Sequence, residues 1–317
     1  MSNFTTWPGP SDSLALRVRE AQPFYFTDKP SVFTQFSDQI LVIFAPIVAY
    51  WVYSLFFHAL DVSESRWLDK YRIHESAEVT TRNRATRSQV VAAVVLQHVI
   101  QALLGWWWMD EGGIDELAEL TNIKRIEGYV FQAASFVWSE KQALHFLAVR
   151  GEQVISFLYW WAIPLAQLGF AFFIIDTWQY FLHRLFHVNK WLYKQFHQTH
   201  HRLYVPYAFG ALYNHPLEGF LLDSVGAALA EAVCLMSIRQ AAFLFTFATL
   251  KTVDDHCGYR LPFDPLQFFF GNNADYHDIH HQVIGIKSNF SQPFFIHWDT
   301  ILGTRMTRAE LEKKKRR

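Results

Sequence analysis

The chain has 317 residues, 51% hydrophobic and 17% aromatic, with 30 Phe, 13 Tyr and 12 Trp, an aromatic load that points to a membrane rather than to an ordinary soluble domain. A formal net charge of -1 excludes a global basic surface for nucleic acid, and any positive patch must be local. Cys234 and Cys257 are the only cysteines and form no CxxC pair, which argues against a disulfide framework and against a thiolate metal site.

In chain order, residues 1–35 are polar and mixed, with Pro8, Pro10, Pro23 and Pro30, and read as an irregular N-terminal lead-in without a signal-peptide pattern. Asn3-Phe4-Thr5 is formally a glycosylation sequon. Residues 36–305 read as one membrane-embedded domain. Within it, residues 40–60, 88–109 and 153–175 carry no formal charge. At about 1.5 Å per residue each is long enough to cross a hydrocarbon core of about 30 Å. Pro46 and Pro164 fall inside the first and third runs, where a membrane helix tolerates them if neighbours satisfy the freed carbonyls.

The loops set an orientation. Residues 61–87 carry six basic side chains (Arg66, Lys70, Arg72, Arg82, Arg84, Arg87), against four in the longer segment 110–152 (Lys124, Arg125, Lys141, Arg150). The positive-inside rule puts 61–87 in the cytosol, so the third span returns the chain to the cytosolic face near Asp176. A fourth apolar region, 224–250, is interrupted by Glu231 and Arg239 and is expected to form a helical hairpin turning at Met236-Ser237-Ile238-Arg239. Residues 306–317 read as a basic cytosolic tail, solvated or against anionic lipid, in which Lys314 and Lys315 match the dilysine pattern of endoplasmic-reticulum retrieval.

Histidine carries the chemistry. His183, His187, His197, His200 and His201 fall within nineteen residues directly after the third run, and His277, His280 and His281 follow. Imidazole is unfavourable to bury without partners for both nitrogens, so such clusters call for a shared explanation, and a metal centre supplies it. On a helix the i, i+3, i+4 spacings aim two or three imidazoles of each box at a common point. The residues between His183 and His187 are Arg-Leu-Phe, which lacks the glutamate of a zinc protease HExxH motif. Imidazole suits zinc, copper, iron and nickel alike. Eight box histidines exceed the needs of one ion and imply two. Two histidine-held ions at the ends of membrane helices suit oxygen activation beside a lipid chain, which makes iron the economical choice. The fold class expected is all-α, an integral membrane helical bundle with a cytosolic-facing, histidine-rich dimetal site.

The HxxxH, HxxHH and HxxHH pattern after membrane helices resembles the fatty acid hydroxylase superfamily. The blocks 176–187, 203–223, 247–259 and 272–298, with Tyr276-His-Asp-Ile-His-His281 and Asn289-Phe-Ser-Gln-Pro-Phe-Phe295, are most similar to its sphinganine C4-hydroxylases. That resemblance implies hydroxylation at C4 of a sphingoid base or dihydroceramide, giving the phytosphingosine type in sphingolipid biosynthesis. It implies two iron ions, with zinc as a possible replacement on heterologous expression, consumption of O2, and electrons from NAD(P)H through cytochrome b5 and its reductase. It also implies a multi-pass endoplasmic-reticulum membrane enzyme. Arg184, Lys190, Lys194 and Arg202 offer a docking patch for an acidic redox partner. His256 aligns with a ligand position of related lipid hydroxylases, while Arg260 stands where a second ligand is expected, which leaves room for His215 to complete the shell. Asp176, Asp254, Asp255 and Asp278 are expected to accept imidazole N–H groups. The alternatives are a membrane lipid desaturase or sterol C4-methyl oxidase on the same metal architecture, and a histidine-lined metal transporter.

Overall fold

The computed structural model describes residues 9–316, apart from Glu64, Glu111, Gly112 and Ile114; the sequon Asn3-Phe4-Thr5 lies outside the described residues. Among the described residues the architecture is helical, and the β structure is an isolated antiparallel bridge between Arg72 and Tyr259. Where the sequence reads as one domain, the chain divides into two compact units, residues 1–38 with 111–169, and residues 39–110 with 170–317.

The first unit corrects the reading of residues 1–35 as irregular. Ser11 accepts from the Leu14 amide and caps a helix, Asp12–Glu20. That helix buries Leu14, Ala15 and Val18 among Ile123, Phe131, Leu147 and Ile155 of the helices Glu116–Val137 and Glu140–Phe157. A π-helical turn, Leu158–Ala162, precedes Pro164. Proline brings no N–H for the carbonyl one turn earlier, and that carbonyl, of Trp160, accepts the Tyr25 hydroxyl.

Among the described residues, three helices are long and apolar enough to span a membrane: Asp38–Val62, Arg87–Trp108 and the 49-residue run Glu140–Val188. They contain the first and third runs expected from the sequence and all of the second but Met109, its C-cap. Their windows are at most 28% buried inside the protein, and Val52, Leu55, Val99, Leu103 and Leu165 face outward. Such apolar surface fits lipid rather than water. The second span starts where Thr86 and Gln89 form a capping box.

The second unit holds the site. Tyr50 and Phe57 of the first span and Val90 and Val94 of the second pack with Leu203, Leu212, Val253 and Tyr259. Tyr50 donates its hydroxyl to the Phe209 carbonyl at 2.7 Å, pinning the segment after the histidine boxes to the first span. At Gly219 an added Cβ would lie 2.1 Å from Gln97 Nε2 of the second span, so a larger residue there would have to displace the end of the Gln97 side chain.

Region 224–250 turns between two helices, but at residues 234–237 rather than at 236–239, and with unequal arms, Gly226–Val233 and Ile238–Asp255. Leu235, at φ 52°, makes the reversal, and Ser237 with Gln240 caps the returning helix. This return sets the Ile238–Asp255 helix against the helix Ala274–His281. The charged C-terminus is not simply a solvated tail: Arg308–Lys315 is a helix, Leu311 is buried with Ile279 and Met306, and Arg308 pairs with Asp275 and Asp278 at 2.8 and 2.6 Å.

Candidate metal centre

Nine imidazoles converge in two groups. His183, His187, His197, His201 and His280 form one; His200, His256, His277 and His281 form the other; within each, the ligand atoms lie within 4.8 Å of one another. The helical third span carries His183 and His187, a π turn carries His197, a 3-10 turn carries His200 and His201, and Ala274–His281 carries the last three. The sequence boxes therefore do not map one to a metal. On the helix Ala274–His281, His277 and His281, one turn apart, join one group while His280 joins the other, and the second box is divided in the same way.

For four of the rings the backbone fixes which nitrogen points inward. His183 Nδ1 meets the Phe290 carbonyl at 2.8 Å, His256 Nδ1 that of Thr252 at 2.8 Å, His280 Nδ1 that of Ser288 at 2.7 Å and His281 Nδ1 that of Leu203 at 2.7 Å. A carbonyl only accepts, so in each neutral ring the proton sits on Nδ1 and Nε2 keeps its lone pair. In the four-histidine group, His256 and His281 then present lone pairs to His277 Nε2 at 3.0 and 3.1 Å, and His277 has at most one proton there to offer. In the five-histidine group, His280 Nε2 is buried with no hydrogen-bond partner among the described residues. A cation at each convergence point satisfies these lone pairs, and the all-imidazole donor set fits a borderline divalent metal ion.

Electrostatics point the same way. Burial, reinforced by neighbouring imidazoles, holds His197, His200, His201, His277, His280 and His281 well below the usual histidine range, and burial brings His256 down to about 4. Neutral rings with oriented lone pairs are the form in which histidine binds a metal.

Two expectations about the site need correction. His215 joins neither group: its Nδ1 accepts from the Leu217 amide at 3.2 Å, so it caps the short helix Pro216–Gly219. The four carboxylates do not hold the clustered imidazoles either. Asp176 accepts from the Phe294 and Phe295 amides at 3.0 and 2.7 Å, Asp254 from Gln267 at 3.1 Å, and Asp255 from Lys251 and Asn272. Asp278 does meet an imidazole, at 2.7 Å, but it is that of His74, outside both groups. Asp176 thus fixes backbone beside the site, while Asp254, Asp255 and Asp278 bind side chains around it. The carboxylate that does orient a clustered ring is Glu218, whose Oε1 lies 2.5 Å from His197 Nδ1 with both side chains buried. Its signal in the sequence is an acid between Pro216-Leu217 and Gly219-Phe220-Leu221-Leu222, where burial demands a partner. Asp299 was equally silent; it accepts from the Phe290 and Ser291 amides at 3.0 and 2.7 Å and from Tyr276 Oη at 2.7 Å.

Two cavities meet beside the histidines. A polar one of about 20 Å³ is lined by His197, His200, His256 and His277. An apolar one of about 180 Å³ runs among the first span (Val42, Ile43, Ile47), the second (Leu104, Gly105) and the third (Ile175). Gln179, Asp223, Thr252 and Pro293 line both. A hydrocarbon chain can therefore lie among the spans with one end at the clustered histidines.

Comparison with known proteins agrees with this geometry. The fatty acid hydroxylase family model matches residues 168–304. A sphingolipid C4-hydroxylase of Saccharomyces cerevisiae is 45% identical over 91% of this chain and 78% of its own length. A sphinganine C4-monooxygenase of Arabidopsis thaliana is 44% identical over 88% of this chain and 92% of its own. A rice protein named very-long-chain aldehyde decarbonylase is 43% identical over 85% and 90%. No solved structure matches the chain.

Proposed function

The chain belongs to the fatty acid hydroxylase family, and we propose that it is a sphinganine C4-hydroxylase, a monooxygenase that places one oxygen atom of O2 at C4 of a long-chain base. The observation that carries the reading is the meeting of the two cavities. An apolar cavity among membrane spans opens onto a small polar one walled by His200, His256 and His277, which suits oxidation near the polar end of a lipid.

The five imidazoles around His187 and the four around His277 would hold two iron ions. Bound there, iron supplies the activation of O2 that allows an unreactive C–H bond to be hydroxylated, with the second oxygen atom leaving as water. The protein's own part is positional. Backbone carbonyls and Glu218 lock the ring orientations, and Phe290 packs against His187 with ring centroids 5.3 Å apart. The apolar cavity fixes the depth of the chain and so the carbon presented. Zinc fits the same donors and is expected to occupy them when iron is scarce.

Two electrons must arrive from outside, and cytochrome b5 with its reductase, drawing on NAD(P)H, is the donor we assign. Lys190 and Lys194 are exposed, and Arg184 and Arg202 half-buried, along the segment that carries His187 and His197, where an acidic partner would dock. The loop charges favour a cytosolic site, which we place in the endoplasmic-reticulum membrane.

A second reading rests on the rice relative, whose name implies removal of the carbonyl carbon from a long-chain aldehyde. Reconstitution with iron, cytochrome b5 and its reductase separates the two. Sphinganine should yield a product heavier by one oxygen and hydroxylated at C4; a shortened hydrocarbon from a fatty aldehyde, with sphinganine untouched, would favour the second.

A further inference from the structure

The carboxylate of Asp223 has no use in the metal site, yet it sits where the two cavities join. It lines both, and its Oδ2 is buried without a hydrogen-bond partner among the described residues. No Lys or Arg lines either cavity. Lys251, the nearby buried cation, is engaged by Asp255 and by the Asn272 carbonyl. A buried acid left unpaired by the protein is unfavourable unless a ligand supplies the partner.

The chemistry of a long-chain base names that partner. Its C2 amine is joined to C4 by two C–C bonds and one C–N bond, each about 1.5 Å, so whatever grips the nitrogen also places C4 within a few ångströms. An anchor for the amine must therefore stand beside the metal ligands and at the mouth of the tail cavity. Asp223 meets both conditions, since the small polar cavity that it lines is also walled by His200 and His256. Gln179, whose amide makes only a 3.5 Å contact with the Leu222 carbonyl, lies on the same junction and is placed to meet a hydroxyl.

We propose that Asp223 is a substrate-specificity residue that pairs with the ammonium of a free long-chain base and thereby selects the free base over its N-acylated form. The proposal rests on the long-chain-base reading of the site. Burial pushes the Asp223 carboxyl up to about 7, and a bound ammonium draws it back toward the ionised form. An amide nitrogen carries no charge and adds an acyl chain, so it forfeits the charge-assisted bond.

The test is equilibrium binding of radiolabelled sphinganine and of N-acetylsphinganine to the full-length, metal-loaded protein in nanodiscs. Wild-type protein should bind sphinganine at least about 10-fold more tightly, the scale of one charge-assisted hydrogen bond. Asp223→Asn should remove that preference through weaker sphinganine binding, with N-acetylsphinganine changed less than about 2-fold on the same scale, and Asp223→Glu should restore part of it. Equal affinities in the wild type, or equal losses for both ligands in Asp223→Asn, would overturn the assignment. The wild-type comparison stands even if the variants fail to fold. Absence of C4 hydroxylation by wild-type enzyme that binds sphinganine selectively would instead count against the proposed reaction and leave the role of Asp223 standing.

Discussion

Glu218 and His215 lie three residues apart and have opposite roles that only the folded chain separates. Glu218 holds His197 by its Nδ1, so Glu218→Gln should lower metal affinity about 10–100-fold, read as metal retained after dialysis against a graded chelator. His215 caps a helix, so His215→Ala should leave metal stoichiometry at the wild-type value and remove a cap worth about 1 kcal/mol. His256→Ala, by contrast, should deplete the four-histidine group of metal and abolish hydroxylation. Loss of metal in His215→Ala would return that residue to the ligand set. The boxes were legible because closely spaced imidazoles are hard to explain without a metal. Their partition was not, because it depends on how the turns at residues 193–202 and the helix Ala274–His281 face each other. Glu218 was illegible for a related reason: an acid in an apolar run declares that it needs a partner without saying which.

At the level of elements, the loop 288–296, leading into the short helix His297–Ile301 that carries Asp299, works as a rack. It offers the Ser288 and Phe290 carbonyls to His280 and His183, and it is held by Asp299 and by Asp176 of the third span. Asp299→Ala leaves the Phe290 and Ser291 amides and the Tyr276 hydroxyl without their acceptor, a loss of about 3 kcal/mol. A fall of several degrees in thermal midpoint, with metal content reduced in the protein that remains folded, is the expected result in detergent. An unchanged midpoint would show that the loop is held by its apolar contacts alone. Spans and hairpin could be read from the sequence because length, hydropathy and interrupting charges are local signals. The N-terminal helix Asp12–Glu20 and the anchored helix Arg308–Lys315 could not, since Leu14, Ala15 and Val18 pack against residues beyond 120 and Leu311 packs against Ile279, partners that are distant in sequence.

Across the second unit, the two histidine groups draw together the end of the third span, the turns at 193–202, the end of the helix Ile238–Asp255 and the helix Ala274–His281. That convergence requires region 224–250 to return to the side from which it left, as its helix–turn–helix does. Metal bound by the folded chain stabilises it by about 4 kcal/mol when free metal stands at a thousand times its dissociation constant. Chelation should therefore lower the thermal midpoint as well as stop hydroxylation. Ferrous iron should restore both. Zinc, which accepts the same imidazoles but has no redox chemistry, should restore the midpoint without the activity. A midpoint indifferent to metal would mean that the polypeptide alone holds nine clustered imidazoles in place. The facing lone pairs of His256 and His281 at His277, and the unpartnered Nε2 of His280, make that outcome energetically unfavourable, because nothing else in the described structure occupies them.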